Sequence, residues 1–222
     1  FVSSSRDHKS ARLRVADTES GEVTEILSEV VETQYESGQG AVNWRFLPSS
    51  EFIWYSERDD WGHLYLYGSD GKLKNQITKG NFVVTRLLKV DNKTRTVYFE
   101  AQGREGGRDP YFSHFYSADF SGKSIRLLTP DDGHHQVQLS PDGKYFIDTF
   151  SKPDVVPTVV LRDMKGKSVL LLEQADVSRL RQTGWKPPIP FSVKSRDAKW
   201  DLYGLMYTPS SLDETKKYPV VN

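Results

Sequence analysis

A chain of 222 residues with 30 basic and 30 acidic side chains carries no net charge, so no global field draws it to nucleic acid or an anionic membrane. It has no cysteine, which removes disulfides, thiol nucleophiles and cysteine metal sites together. Only 36% of its residues are apolar and no run approaches the roughly 18 residues of a membrane-spanning helix, yet 27 aromatics (11 Phe, 11 Tyr, 5 Trp) supply large buried areas.

Residues 1–29 read as a partial first unit. FVSSS is the end of a strand whose partners are expected upstream, and 11–17 with 22–27 form a hairpin around 18–21. Residues 30–41, VVETQYESGQGA, are a polar connector in which Gly38-Gln39-Gly40 reads as mobile or ligand-facing, or as an ordinary loop between repeats. The next unit, 42–80, is the reference for the whole chain. It has strand-like runs at 52–56, 63–67 and 73–78, separated by polar turns at 57–60 and 68–72.

The third unit, 81–129, places strands at 83–90, 95–102, 111–119 and 124–129, with an unusual loop, GREGGRDP, from Gly103. The fourth, 136–173, opens on the Ser140-Pro141-Asp142-Gly143 turn and is expected to carry a long loop at 151–157. A short helix is expected at 175–182, ended by Gly184-Trp185-Lys186-Pro187-Pro188. Two strands follow, 190–194 and 200–208, around a turn at 196–199. The chain stops at Pro219-Val220-Val221-Asn222, which reads as the opening of another buried strand, so a fragment is expected.

These units repeat. HLYLYGSDGKLKNQIT from His63 is restated as HFYSADFSGKSIRLLT from His114 and PTVVLRDMKGKSVLLL from Pro157, with a looser copy from Ala11. The turn glycines fall at Gly21, Gly71, Gly122 and Gly166, spaced by 50, 51 and 44 residues. A period of about 40–50 residues with several strands per repeat points to propeller blades. A β-sandwich also repeats its strands, but does not require a shared turn motif at this longer period.

The chemistry-bearing residues point away from catalysis within this stretch. There is no GxSxG elbow, so His8, His63, His114, His134 and His135 have no triad to join. His63 and His114 open equivalent strands, which favours a structural role. His134 and His135 are neighbours on a strand, point to opposite faces and chelate one metal poorly. No metal site is expected and no cofactor is called for. The GREGGRDP loop lacks phosphate-loop spacing; Arg104, Glu105, Arg108 and Asp109 are expected either in solvent or pinning an adjacent blade, with a buried Arg108–carboxylate pair as the testable form. Residues 56–60 read as a solvated charged turn.

In order and spacing, FIWYSERDDWGHLYLY, QITKGNFVV, GGRDPYF, LTPDDG, LSPDGKYFI and KKYPVV resemble the dipeptidyl peptidase IV branch of the prolyl oligopeptidase family. The likeness covers nearly the whole chain and is strongest at 52–161 and 213–221. It implies a serine exopeptidase parent that takes dipeptides with Pro or Ala in second position from peptide N-termini, under an eight-bladed propeller. It implies an all-β fold of about four propeller blades (1–173), a linker (174–189) and the first strands of an α/β-hydrolase domain (190–222).

By the same likeness the Ser, Asp and His triad lies after Asn222, and the paired glutamates that grip the substrate amine lie before Phe1. Nothing is carried over to Glu57, Glu105, Glu29 or Glu32. The loop corresponding to 35–45 leans toward the substrate pocket in the family. The resemblance further implies a homodimeric parent, periplasmic or extracellular in a bacterium, with peptides and not nucleic acid as partners. The stretch itself is expected to be inactive, and to self-associate through its cut edges. The competing readings are a non-catalytic propeller module that binds a protein partner, and an oligopeptidase or acylaminoacyl peptidase of the same family.

Overall fold

The structure, a computed structural model, describes residues 1–36, 43–213 and 215–221. Gly38-Gln39-Gly40 lies outside the described residues. The chain divides into two compact units, Phe1–Pro130 and Asp131–Asn222.

The first unit holds three antiparallel meanders. Sheet 1 is β1 (Val2–Ser4), β2 (Ser10–Ala16) and β3 (Val23–Val30). Sheet 2 is β4 (Arg45–Leu47), β5 (Glu51–Ser56), β6 (His63–Gly68) and β7 (Leu73–Gln76). Sheet 3 is β8 (Val83–Asp91), β9 (Thr96–Gln102), β10 (Ser113–Asp119) and β11 (Ile125–Leu127). Each pairs strands strictly in chain order, as blades of a partial propeller do.

Alternation of side chains explains why sheet 2 is central. Phe52 and Trp54 of β5 point to one face and pack with Ala11, Leu13, Tyr65 and Tyr67. Ile53 and Tyr55 point to the other face and join Leu64, Val84, Phe99 and Tyr116. All residues of β5 and β6 are therefore buried. Each large side chain removed from water in this way contributes about 1.5–3 kcal/mol.

The recurring turn glycine docks one blade on the previous one. Gly71 and Gly122 have φ of +78° and +72°. A Cβ on Gly71 would lie 2.1 Å from the Ile26 carbonyl oxygen on β3, and one on Gly122 would lie 2.6 Å from that of Gln76 on β7. Both the left-handed backbone and the close approach demand glycine.

The second unit holds sheet 4, β12 (His134–Leu139), β13 (Tyr145–Lys152), β14 (Val155–Asp163) and β15 (Ser168–Gln174), followed by α1 (Ser178–Gln182) and a hairpin of β16 (Ile189–Lys194) with β17 (Asp201–Met206). The long loop expected at 151–157 is a correction: β13 and β14 run on to a tight turn at Pro153 and Asp154, because β-branched Val155 and Val156 continue the strand. The helix begins at Ser178, later than expected. No helix among the described residues is long and apolar enough to cross a membrane.

Candidate functional site

In these meanders the β1–β2, β5–β6 and β9–β10 connections leave one edge of the sheets, and the alternate turns leave the other. The first edge carries a cluster of ionisable and aromatic groups. Its centre is Glu29, at the end of β3 and only 8% exposed. Its Oε2 accepts the Trp54 indole N–H at 2.7 Å and Nη2 of Arg58 at 3.2 Å, and its Oε1 accepts the Ser56 hydroxyl at 2.6 Å. A carboxylate this buried persists because three donors satisfy it.

Arg58 also donates from Nε to Ser56 Oγ at 2.8 Å and lies 4.4 Å over the Tyr65 ring. The 56–60 turn is thus anchored by its arginine, where solvation of the whole run was expected. Asp59 is held as well, accepting Gln76 Nε2 at 2.8 Å. Chain separations of 25 to 29 residues left no sequence signal for this convergence on Glu29.

Beside it, Tyr35 stacks on Trp54 with ring centroids 6.1 Å apart, and its backbone N–H donates to the His8 carbonyl. The Tyr55 hydroxyl donates to Glu57 Oε1 at 3.2 Å. Burial, reinforced by Glu29 and Glu57, raises the Tyr35 phenol, and burial beside Glu57 raises that of Tyr55. The Glu57 carboxyl is itself pushed up, chiefly by partial burial and then by Glu36 and Glu29. This edge is an acidic, aromatic rim. Its tyrosines stay protonated donors.

The model of one family, the dipeptidyl peptidase IV (DPP IV) N-terminal region, matches residues 1–157. The chain belongs to this DPP IV family. Relatives with the name dipeptidyl peptidase 4 are 27% identical over 176 residues in Arthroderma otae and 30% identical over 183 residues in Trichophyton rubrum. Each alignment covers 77% of this chain and 22% of the relative, so the chain spans about a fifth of their length. The crystal structure of Porphyromonas gingivalis dipeptidyl peptidase 4 is similar over 98% of this chain and 30% of its own, with a TM-score of 0.82 and 25% identity. A putative dipeptidyl aminopeptidase IV from Bacteroides ovatus is similar over 98% of this chain and 33% of its own, with a TM-score of 0.78 and 28% identity.

Within this DPP IV propeller portion several of the other residues bond neighbouring strands and turns. His63 bonds Thr78 Oγ1 at 3.1 Å and the Gly80 carbonyl at 3.0 Å, and His114 reaches the Thr129 carbonyl at 3.3 Å. The threonines recur too: Thr78 Oγ1 accepts the Leu64 amide and Thr129 Oγ1 accepts the Phe115 amide. In the Gly103 loop, Glu105 accepts the Tyr116 hydroxyl at 3.1 Å and pairs with Arg104 at 2.9 Å. Arg108 is half-buried and donates to the Pro130 carbonyl at 2.6 Å. These bonds tie the loop to Tyr116 of β10 and to the segment after β11, where solvent or an adjacent blade was expected. Glu32 is exposed. Among the described residues no group of three or more His, Asp or Glu is placed to hold a metal ion.

Proposed function

We propose that this chain is the later propeller portion of a serine exopeptidase that releases N-terminal dipeptides with Pro or Ala in second position. The observation that carries the reading is the continuous likeness to dipeptidyl peptidases: the family match over 1–157, and the structural likeness over 98% of the chain. In this reading residues 1–173 are propeller blades, 174–189 the returning linker and 190–222 the first strands of the α/β-hydrolase domain. The Ser, Asp and His of the triad come from after Asn222, and the amine-gripping glutamates from before Phe1.

The role of this portion is then to gate and cover the substrate cavity. Blades locked through buried carboxylates and docked glycines form a stiff wall, which restricts water and admits only peptide ends. The wall positions substrate while the hydrolase domain performs acyl transfer. The full enzyme acts as a homodimer.

The test is hydrolysis of Gly-Pro and Ala-Pro chromogenic dipeptides by the full-length enzyme and by residues 1–222 side by side. Cleavage by the full-length enzyme alone is expected. Cleavage by neither overturns the exopeptidase assignment in favour of a propeller that binds a protein partner.

A further inference from the structure

The β13–β14 turn and the segment that follows β15 enclose a recess within the second unit. Its volume is about 160 Å³. Val156 and Pro157 of β14 wall it on the sheet side, and Val177, Trp185 and Pro187 wall it on the other. An apolar cavity of about 150 Å³ takes one benzene ring, so the space suits a single compact ring.

The walls are held by bonds of the chain itself. The Ala175 amide donates to the Pro157 carbonyl at 2.9 Å, which tethers the segment to β14 just after it leaves β15. Beyond the tether α1 closes on itself. The Arg181 amide donates to the Val177 carbonyl at 3.0 Å, the Thr183 hydroxyl to the Leu180 carbonyl at 2.7 Å and the Gly184 amide to the Arg181 carbonyl at 3.0 Å. Since α1 buries none of its residues, none of them plugs the recess. Pro153, Pro157 and Pro187 fix their own φ and carry no amide N–H, which stiffens the walls and keeps them poor in donors.

Two cations line the recess, and they are engaged differently. Lys152 Nζ lies 2.8 Å from Asp132 and 3.9 Å from Asp154, the single carboxylate among the lining residues. Arg181 has no ion pair among the described residues. The Asp176 carboxylate feels its charge, but that carboxylate already takes the Ser178 amide and hydroxyl at 2.8 and 3.1 Å. A guanidinium offers paired N–H donors that match the two oxygens of a carboxylate. An apolar pocket with one such polar group binds a small molecule and orients it.

We infer that this recess is a binding site for a small carboxylate with a compact apolar ring, the ring held between β14 and the segment after β15 and the carboxylate on Arg181. The inference does not rest on the exopeptidase reading.

The test uses the full-length protein carrying 5-fluorotryptophan, with the Trp185 signal assigned by its loss in Trp185→Phe. Benzoate, titrated at constant ionic strength, is expected to shift that signal saturably with a Kd of roughly 1–10 mM, as suits about nine non-hydrogen atoms. Benzyl alcohol, which keeps the ring and lacks the carboxylate, is expected to bind about tenfold more weakly. Arg181→Gln, an exposed position that folding does not need, is expected to weaken benzoate about tenfold and leave benzyl alcohol unchanged. N-acetylproline carries the ring and carboxylate of a peptide C-terminus. The tighter of the two acids tells whether the natural source is a peptide end or a free aromatic acid. No saturable shift at Trp185 with either acid up to about 50 mM overturns the proposal. So does equal affinity for benzoate and benzyl alcohol, or an Arg181→Gln protein that binds benzoate as before.

Discussion

Glu51 at the start of β5 and Arg95 in the β8–β9 turn form a two-pronged ion pair, Nη1 to Oε2 at 2.7 Å and Nη2 to Oε1 at 3.1 Å. It joins sheets 2 and 3 at the edge opposite the Glu29 cluster. Lys74 and Ser49 add bonds of 2.7 and 2.8 Å to the same carboxylate, and Arg95 lies 4.6 Å over the Phe120 ring. Buried carboxylates thus clasp neighbouring blades at both edges.

The clasp has a pH signature. The Arg95 bonds, aided by those of Lys74 and Ser49 against burial, lower the Glu51 carboxyl from 4.5 to about 2. A carboxyl depressed on folding contributes stability that is complete above about 4.5 and is lost as pH falls through about 2. Glu51→Gln is expected to cost about 2 kcal/mol at pH 7, because Arg95 and Lys74 remain half-exposed to solvent. It should also flatten the acid limb of urea-midpoint against pH. An unchanged acid limb refutes the clasp.

His63 predicts the opposite kind of residue from Glu51. Burial, partly offset by the Gly80 bond and Asp59, holds its pKa below the usual value. The unfolded chain takes up this proton first, so stability falls as pH drops below about 6.5. His63→Gln should reduce that loss between pH 7 and 5 while lowering stability at pH 8 by about 1–2 kcal/mol. Chemical denaturation at the three pH values measures it.

Gly122→Ala forces a Cβ into a left-handed residue and against the Gln76 and Ile77 carbonyls at 2.6 and 2.8 Å. A loss of about 2–4 kcal/mol is expected. Gly21→Ala keeps the left-handed cost but meets nothing within 4 Å, so it should lose only about 1 kcal/mol. Equal losses at the two sites would show that docking on the previous blade contributes nothing.

Trp54→Phe keeps most of the ring but removes the N–H that Glu29 accepts. It is expected to cost about 1–3 kcal/mol, which Glu29→Gln in the same chain should not simply add to, because the two share one bond. A double-mutant cycle by urea unfolding reads the coupling. Additive losses would break the proposed link between sheets 1 and 2.

Much of this molecule was legible in order along the chain. The aromatic runs around residues 52–56 and 63–67, the recurring turn glycine and the paired openings at His63 and His114 belong to local patterns of period two and of blade length. They were enough for the meanders, the blade count, the structural role of both histidines and the likeness to dipeptidyl peptidases. Local pattern misjudged the 151–157 loop, where two β-branched residues outweighed two prolines.

Tertiary structure alone decided which charges matter. Glu29 and Glu51 look like any surface glutamate in sequence, because apart from Ser49 the partners described are 23 to 44 residues away and become neighbours only when the chain folds. His135 looked like half of an adjacent pair. Its ring meets the Asp148 carboxylate of the facing strand and the Asp131 carbonyl, neither of which is its neighbour along the chain. Alternation and turns are properties of neighbours along the chain, whereas the protonation and pairing of a buried group are set by whatever the fold places against it.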